Sequence, residues 1–134
     1  MVGFALSARS RGRLAGVHPD LVRVVERAIQ ITPVDFVVLE GLRTAARQKE
    51  LYAAGATKTL NSRHLTGHAV DLGALVAGKV RWDWPLYHQI AAAMGEAADE
   101  LDVPVTWGGS WKFKDGPHFE LPRDKYPASP ESKQ

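Results

Sequence analysis

Apolar residues recur at three- and four-residue spacing in two stretches of this chain, and short β-branched or aromatic runs lie around them. Leu21, Val24, Val25, Ala28 and Ile29 fall on one face of the segment from Pro19 to Ile31, and Pro19 suits a first helical turn. Tyr87, Ile90, Ala91, Met94, Ala97, Ala98 and Leu101 form a longer stripe from about Trp84 to Leu101, with Asp83 placed to cap it. A third helix is predicted from Ala45 to Ala54, capped by Thr44 and closed by Gly55. Strands are expected at Phe36 to Leu39, Ala69 to Val76, Val80 to Trp82, Val103 to Trp107 and His118 to Leu121, with Ala77-Gly78-Lys79 as a hairpin turn. Gly55 to Arg63 reads as a polar loop. The elements lack βαβ spacing and no repeat is visible. The pattern therefore predicts a single α+β domain, a small antiparallel sheet with flanking helices, over residues 1–121. Residues 122–134 hold three prolines and little apolar content and read as a wrapped or frayed tail.

Composition narrows the chemistry. The 134 residues suffice for one domain with a real core, at 45% hydrophobic and 24% charged. There is no cysteine, so disulfides, a thiolate metal cage and a cysteine nucleophile are all excluded. Any metal must be held by His, Asp or Glu, the ligand set typical of catalytic zinc. Net charge is only +2, and Arg9-Ser10-Arg11-Gly12-Arg13 carries much of the positive charge. That run reads as a solvated N-terminal segment, or alternatively as an attraction for an anionic partner. No basic stripe with interleaved aromatics follows it, so no nucleic-acid partner is expected. No secretory h-region and no membrane-spanning run is visible, so synthesis in the cytoplasm is expected, with outside help if the protein acts beyond it.

One run and one later triplet concentrate the reactive side chains: Ser62-Arg63-His64-Leu65-Thr66-Gly67-His68-Ala69-Val70-Asp71, then Asp115-Gly116-Pro117-His118. Together they supply the inventory of an open zinc site, with three protein ligands and an acid/base beside them. His64 and His68 are four apart, as in the helical H-E-x-x-H pair, but Leu65 stands where that motif needs Glu and Gly67 interrupts the helix. The other arrangement pairs His64 with Asp71 across a turn at Gly67. Asp71 then shares a strand face with Ala69 and Gly73, while Val70 and Leu72 enter the core. A strand-end acid paired with an arginine is equally open for Asp71. His118 begins the last strand with Glu120 on its face. Gly116-Pro117 could swing Asp115 back beside His118, or Asp115 could simply form the turn. Of the four tryptophans, Trp107 or Trp111 is expected to line a cleft, because they flank Gly108-Gly109 near Asp115.

Ser62-x-His64, Gly67-x-Ala69-x-Asp71, Asp115 and His118-Phe119-Glu120-Leu121 resemble the zinc D-alanyl-D-alanine peptidases. That group includes vancomycin-resistance dipeptidases and carboxypeptidases, and the L-alanyl-D-glutamate endopeptidases used as phage endolysins. The likeness extends to Glu40-Gly41-Leu42-Arg43-Thr44 with Gln48 and to Trp107-Gly108-Gly109, over residues 17–121, and the layout is that of the compact endolysins. The resemblance implies His64, Asp71 and His118 as Zn2+ ligands and Asp115 as catalytic acid/base, at a position where many relatives carry Glu. It implies that Arg43 stabilises developing charge, rather than pairing on the surface with Glu40 or Asp35, and that Ser62 and Gln48 contact substrate. It leaves His68 outside the ligand set, and His68 reads as exposed. The implied function is cleavage of peptidoglycan stem peptides, at the L-Ala–D-Glu bond, by a monomeric phage endolysin. Such an enzyme waits in the host cytoplasm, is released with a holin-type partner and acts on the wall in the periplasm. The competing readings are a D,D-carboxypeptidase or dipeptidase acting on D-Ala-D-Ala, and a non-catalytic wall-binding domain.

Overall fold

The computed structural model describes residues 3–127. Its first helix, α1 (Ala8–Arg13), is one that the arginine-rich run did not announce. The arginines are solvated as expected, but the segment is a short helix capped by Ser7, whose hydroxyl accepts from the Ser10 amide at 3.1 Å. Its purpose is visible at the next strand. Ser10 is buried, its Oγ accepts from Val38 N at 2.9 Å, and Arg13 Nη1 donates to Val38 O at 3.0 Å. Those bonds satisfy a strand edge that has no other partner there.

The remaining elements follow the apolar pattern closely. Helix α2 (Pro19–Ile31) leads to strand β1 (Phe36–Glu40), then helix α3 (Ala45–Ala53), whose Thr44 cap accepts from Arg47 N at 3.1 Å. A single 3-10 turn (Arg63–Thr66) precedes β2 (Ala69–Val76), and β3 (Lys79–Arg81) folds back on it through Ala77 and Gly78, both at positive φ. Helix α4 (Trp84–Leu101) follows, then β4 (Thr106–Trp107), a second 3-10 turn (Gly108–Ser110) and β5 (His118–Glu120). Asp83 does not cap α4 through its side chain; that carboxylate instead accepts from Arg81 at 2.9 Å. The strand expected from Val103 shrinks to two residues, consistent with Pro104, which has no N–H for a ladder.

The sheet is antiparallel throughout, in the order β1-β2-β5-β4, with β3 on the distal half of β2. Helices α2 and α4 pack on each other and on one sheet face. Val24, Val25, Ala28, Ile90, Met94 and Ala97 meet Val70, Leu72 and Phe119 there, all essentially inaccessible to solvent. The other face carries the polar residues of the central strands. Residues 122–127 fold back over the domain: Tyr126 donates from its hydroxyl to Asp20 at 2.7 Å, and its carbonyl accepts from Arg63 at 2.7 Å. The rest of the expected tail lies outside the described residues. Among the described residues no helix is long and apolar enough to cross a membrane.

Gly67 ends the first 3-10 turn at φ +75°, and a Cβ placed there would lie 2.2 Å from the Gly16 carbonyl oxygen. Gly78 also has positive φ, at +80°, but faces open space. Gly67→Ala is therefore expected to cost more than about 2 kcal/mol in urea denaturation, and Gly78→Ala about 1 kcal/mol. Equal losses would show that backbone strain alone, and not the packing against Gly16, makes glycine necessary at position 67.

Candidate functional site

Strand register builds the floor of the site. Glu40 pairs with Asp71 across β1 and β2, and Asp71 pairs with His118 across β2 and β5, so three functional side chains form one row on the polar sheet face. His64 reaches the row from the 3-10 turn. Ser62 caps that turn by accepting from His64 N at 3.1 Å, and the His64 carbonyl accepts from Arg43 N at 2.9 Å. Gly67 then turns the chain into β2, so His64 and Asp71 face each other across seven residues of sequence.

The imidazole tautomers follow from their outer partners. His64 Nδ1 lies 2.8 Å from the Gly41 carbonyl, which can only accept, so Nδ1 carries the hydrogen and the Nε2 lone pair faces Asp71 Oδ1 at 3.2 Å. His118 Nε2 lies 2.8 Å from Glu120 Oε1, and its Nδ1 faces the same Asp71 oxygen at 3.1 Å. The donor atoms of His64, Asp71 and His118 all lie within 4.8 Å of one another.

This group could hold a metal ion, and its chemistry fits one. Outer acceptors fix both rings in the manner of metal-ligating histidines. A tetrahedral ion with bonds of about 2.0–2.1 Å separates its ligands by about 3.3 Å, close to the 3.2 and 3.1 Å by which Asp71 stands from the two imidazoles. The local field also favours positive charge. Burial disfavours a charged His118, yet the bonds to Asp71 and Glu120 prevail and push its pKa up to about 9. Asp71 is held well below the usual carboxylate range, because the two histidines outweigh its burial.

Around this floor runs a cleft of about 560 Å³ whose walls include Arg43, Ser62, Trp111 and Asp115. Asp115 is anchored by its backbone: its N–H donates to Gly108 O at 3.0 Å, and its carbonyl accepts from His118 N at 3.2 Å. The Gly116-Pro117 turn thus brings Asp115 back beside the start of β5. Its carboxyl pKa is raised, first by burial of the carboxylate and then by the charge of Asp71.

Arg43 pairs with Glu40 but is not a surface residue; its side chain is only 8% exposed. Glu40 takes both Nε and Nη2, Gln48 accepts from Nη1 at 2.8 Å, and Nη2 also stands 3.9 Å from Asp71 Oδ2. Gln48 is buried behind Arg43, with its amide nitrogen donating to Thr59 O at 2.6 Å. It does not reach the cleft surface, so its place is support for Arg43 rather than contact with a ligand.

Two further expectations are corrected. Trp107 does not line the cleft. It stacks on Phe119 at the core edge and donates from Nε1 to Gly116 O at 2.7 Å, so it braces the turn that carries Asp115. Trp111 takes the cleft position, its ring 5.1 Å from that of His118. His68 is not exposed. It is half-buried against His18, bonded to Thr66 Oγ1 at 2.6 Å, and burial followed by the nearby charges of Arg63, His18 and Arg123 lowers its pKa to about 4. The residue that sequence reasoning undervalued is Glu120, whose place on the His118 face was the available signal. Glu40, seen only as a surface partner, is the clamp on Arg43.

Comparison with known proteins agrees with this geometry. A family model described as phage L-alanyl-D-glutamate peptidase matches residues 2–129. An L-alanyl-D-glutamate peptidase of Escherichia phage T5 is 30% identical over 129 residues, covering 93% of this chain and 94% of the phage protein. The peptidoglycan L-alanyl-D-glutamate endopeptidase CwlK of Bacillus subtilis is 33% identical over 103 residues, covering 66% of this chain and 61% of that protein. Among solved structures, the L-Ala D-Glu endopeptidase ChiX of Serratia marcescens superposes with a TM-score of 0.87 at 56% identity, covering 90% of this chain and 92% of that one. With the family model spanning nearly its whole length, this chain belongs to the phage L-alanyl-D-glutamate peptidase family.

Proposed function

We propose that this chain is a zinc-dependent peptidase that hydrolyses the L-Ala–D-Glu bond of peptidoglycan stem peptides and serves as a phage endolysin. The observation that carries the reading is the convergence of His64 Nε2, Asp71 Oδ1 and His118 Nδ1 on one point of a cleft whose wall holds Asp115. The relatives named above favour this bond over D-Ala-D-Ala. By analogy with the phage relatives, the protein waits in the host cytoplasm, passes out with a holin-type partner and meets the wall in the periplasm.

His64, Asp71 and His118 would hold the zinc, which supplies Lewis acidity and raises the acidity of water at neutral pH. Asp115 takes the proton from the attacking water and delivers it to the departing amine. A carboxyl with a raised pKa is suited to holding that proton between the two steps. Arg43, fixed by Glu40 and Gln48, presents positive charge towards the carbonyl oxygen as it becomes an oxyanion. Ser62 accepts a hydrogen bond from His64 N, which leaves its own O–H free to donate to a peptide carbonyl. Trp111 offers an apolar wall beside His118.

Substitutions separate these roles. His118→Ala is expected to lose the zinc, and unchanged zinc by elemental analysis would remove His118 from the ligand set. Asp115→Ala is expected to keep the metal and lose about 10²–10⁴-fold in peptidoglycan hydrolysis, the usual worth of a general acid/base. Activity near wild type would dismiss Asp115 from the mechanism. Glu120→Gln is expected to weaken zinc affinity by about 10–100-fold in a chelator competition. For the scissile bond, mass spectrometry of digested peptidoglycan is expected to show new D-Glu amino termini, and release of D-Ala in their place would convert the assignment to a D,D-carboxypeptidase.

A further inference from the structure

Arg63 is a buried cation that the peptidase reading leaves unused. It lies between Ser62 and His64, borders the same cleft, and is 3% exposed. Nε and Nη2 donate to the Leu121 carbonyl at 3.2 and 2.8 Å, and Nη2 donates to the Tyr126 carbonyl at 2.7 Å. All these acceptors are neutral. Nη1 is buried and has no hydrogen-bond partner among the described residues. Among the described residues no carboxylate forms an ion pair with Arg63, an uncommon state for a buried charge.

Arg123 stands on the same wall. It is exposed, borders the cleft, and spends one N–H on the Asn61 carbonyl at 2.8 Å. No carboxylate among the described residues pairs with it. Glu120, the acid of this wall, is committed to His118 at 2.8 Å. The other cleft arginines each have a carboxylate partner, Arg43 in Glu40 and Arg47 in Glu50 at 3.3 Å. Of the cleft arginines, only Arg63 and Arg123 thus lack a carboxylate partner among the described residues. Arg63 is buried and Arg123 exposed, both border this cleft, and the two like charges repel.

We propose that Arg123, backed by the buried charge of Arg63, forms a carboxylate-binding subsite that sets the enzyme's preference among stem peptides. The inference rests on the peptidase reading above. D-Glutamate has two carboxyl groups, and continuing the stem uses only one, so the other remains as an anion beside the scissile amide. A following diamino-dicarboxylic acid offers the same group one residue farther on. Arg123 makes the contact. Arg63, too enclosed to touch the ligand, is a positioning residue that supplies field from a place where solvent screens it poorly.

The test compares kcat/KM on four peptides: L-Ala–D-Glu–diaminopimelate, its D-isoglutamine form, its lysine form, and the form with both changes. Wild-type enzyme is expected to lose about tenfold or more when the recognised carboxylate is removed, as for a lost charge-assisted bond. Which single change causes the loss identifies the source. Arg123→Gln is expected to lose the same factor on the peptide with neither change and nothing further on the peptide with both, with zinc content and melting temperature unchanged. Equal cleavage of all four peptides by wild type would overturn the subsite. So would an equal slowing of all four by Arg123→Gln, which would mark a purely structural bond to Asn61. Failure of wild type to cut any L-Ala–D-Glu bond would overturn the peptidase reading itself, and this inference with it.

Discussion

The pairing of β2 with β5 is the constraint on which the site depends. Asp71 opposes His118 in that ladder, and a slip of one residue would turn Asp71 or His118 away from the polar face and Phe119 out of the core. The apolar residues therefore enforce the geometry of the polar ones. Val70 and Phe119, both buried, oppose each other in the same ladder and leave little freedom for any other register. The His64, Asp71 and His118 group is held in place largely by packing on the opposite face of the sheet.

Outward from that ladder, each side chain of the candidate site is held by a partner behind it. Gly41 and Glu120 set the two imidazoles, Glu40 and Gln48 set Arg43, and Trp107 braces the turn that delivers Asp115. These supports come from different segments, so the site is assembled only when β1, β2 and β5 are all in place. Preorganisation of this kind removes reorganisation from the reaction itself.

The helices and the central strands could be read from sequence because their apolar period is unambiguous: Leu21 to Ile29 and Tyr87 to Leu101 behave as the spacing requires. The candidate ligands were legible because Gly67 and Leu65 speak against a helical histidine pair and because the motifs resemble a known family, which implies Asp71 in place of His68. Helix α1 was not legible. Its reason to exist, the bonds from Ser10 and Arg13 to Val38, spans more than twenty residues and leaves no local pattern. The exchange between Trp107 and Trp111 was hidden for a similar reason. Both flank the same glycines, and only the stacking of Trp107 on Phe119 decides which ring faces inward. His68 looked free because nothing in its own neighbourhood foretells His18 as a ring neighbour.

His118 and Asp71 meet across 47 residues of sequence. A cation shared by those two and His64 would tie a turn, a central strand and the last strand at a single point. In a chain with no cysteine, such an ion serves as the covalent bridge that is missing, restricting the unfolded chain much as a long-loop disulfide does. Catalytic readiness and resistance to unfolding would then share one switch, and stripping the metal would loosen the molecule as well as silence it.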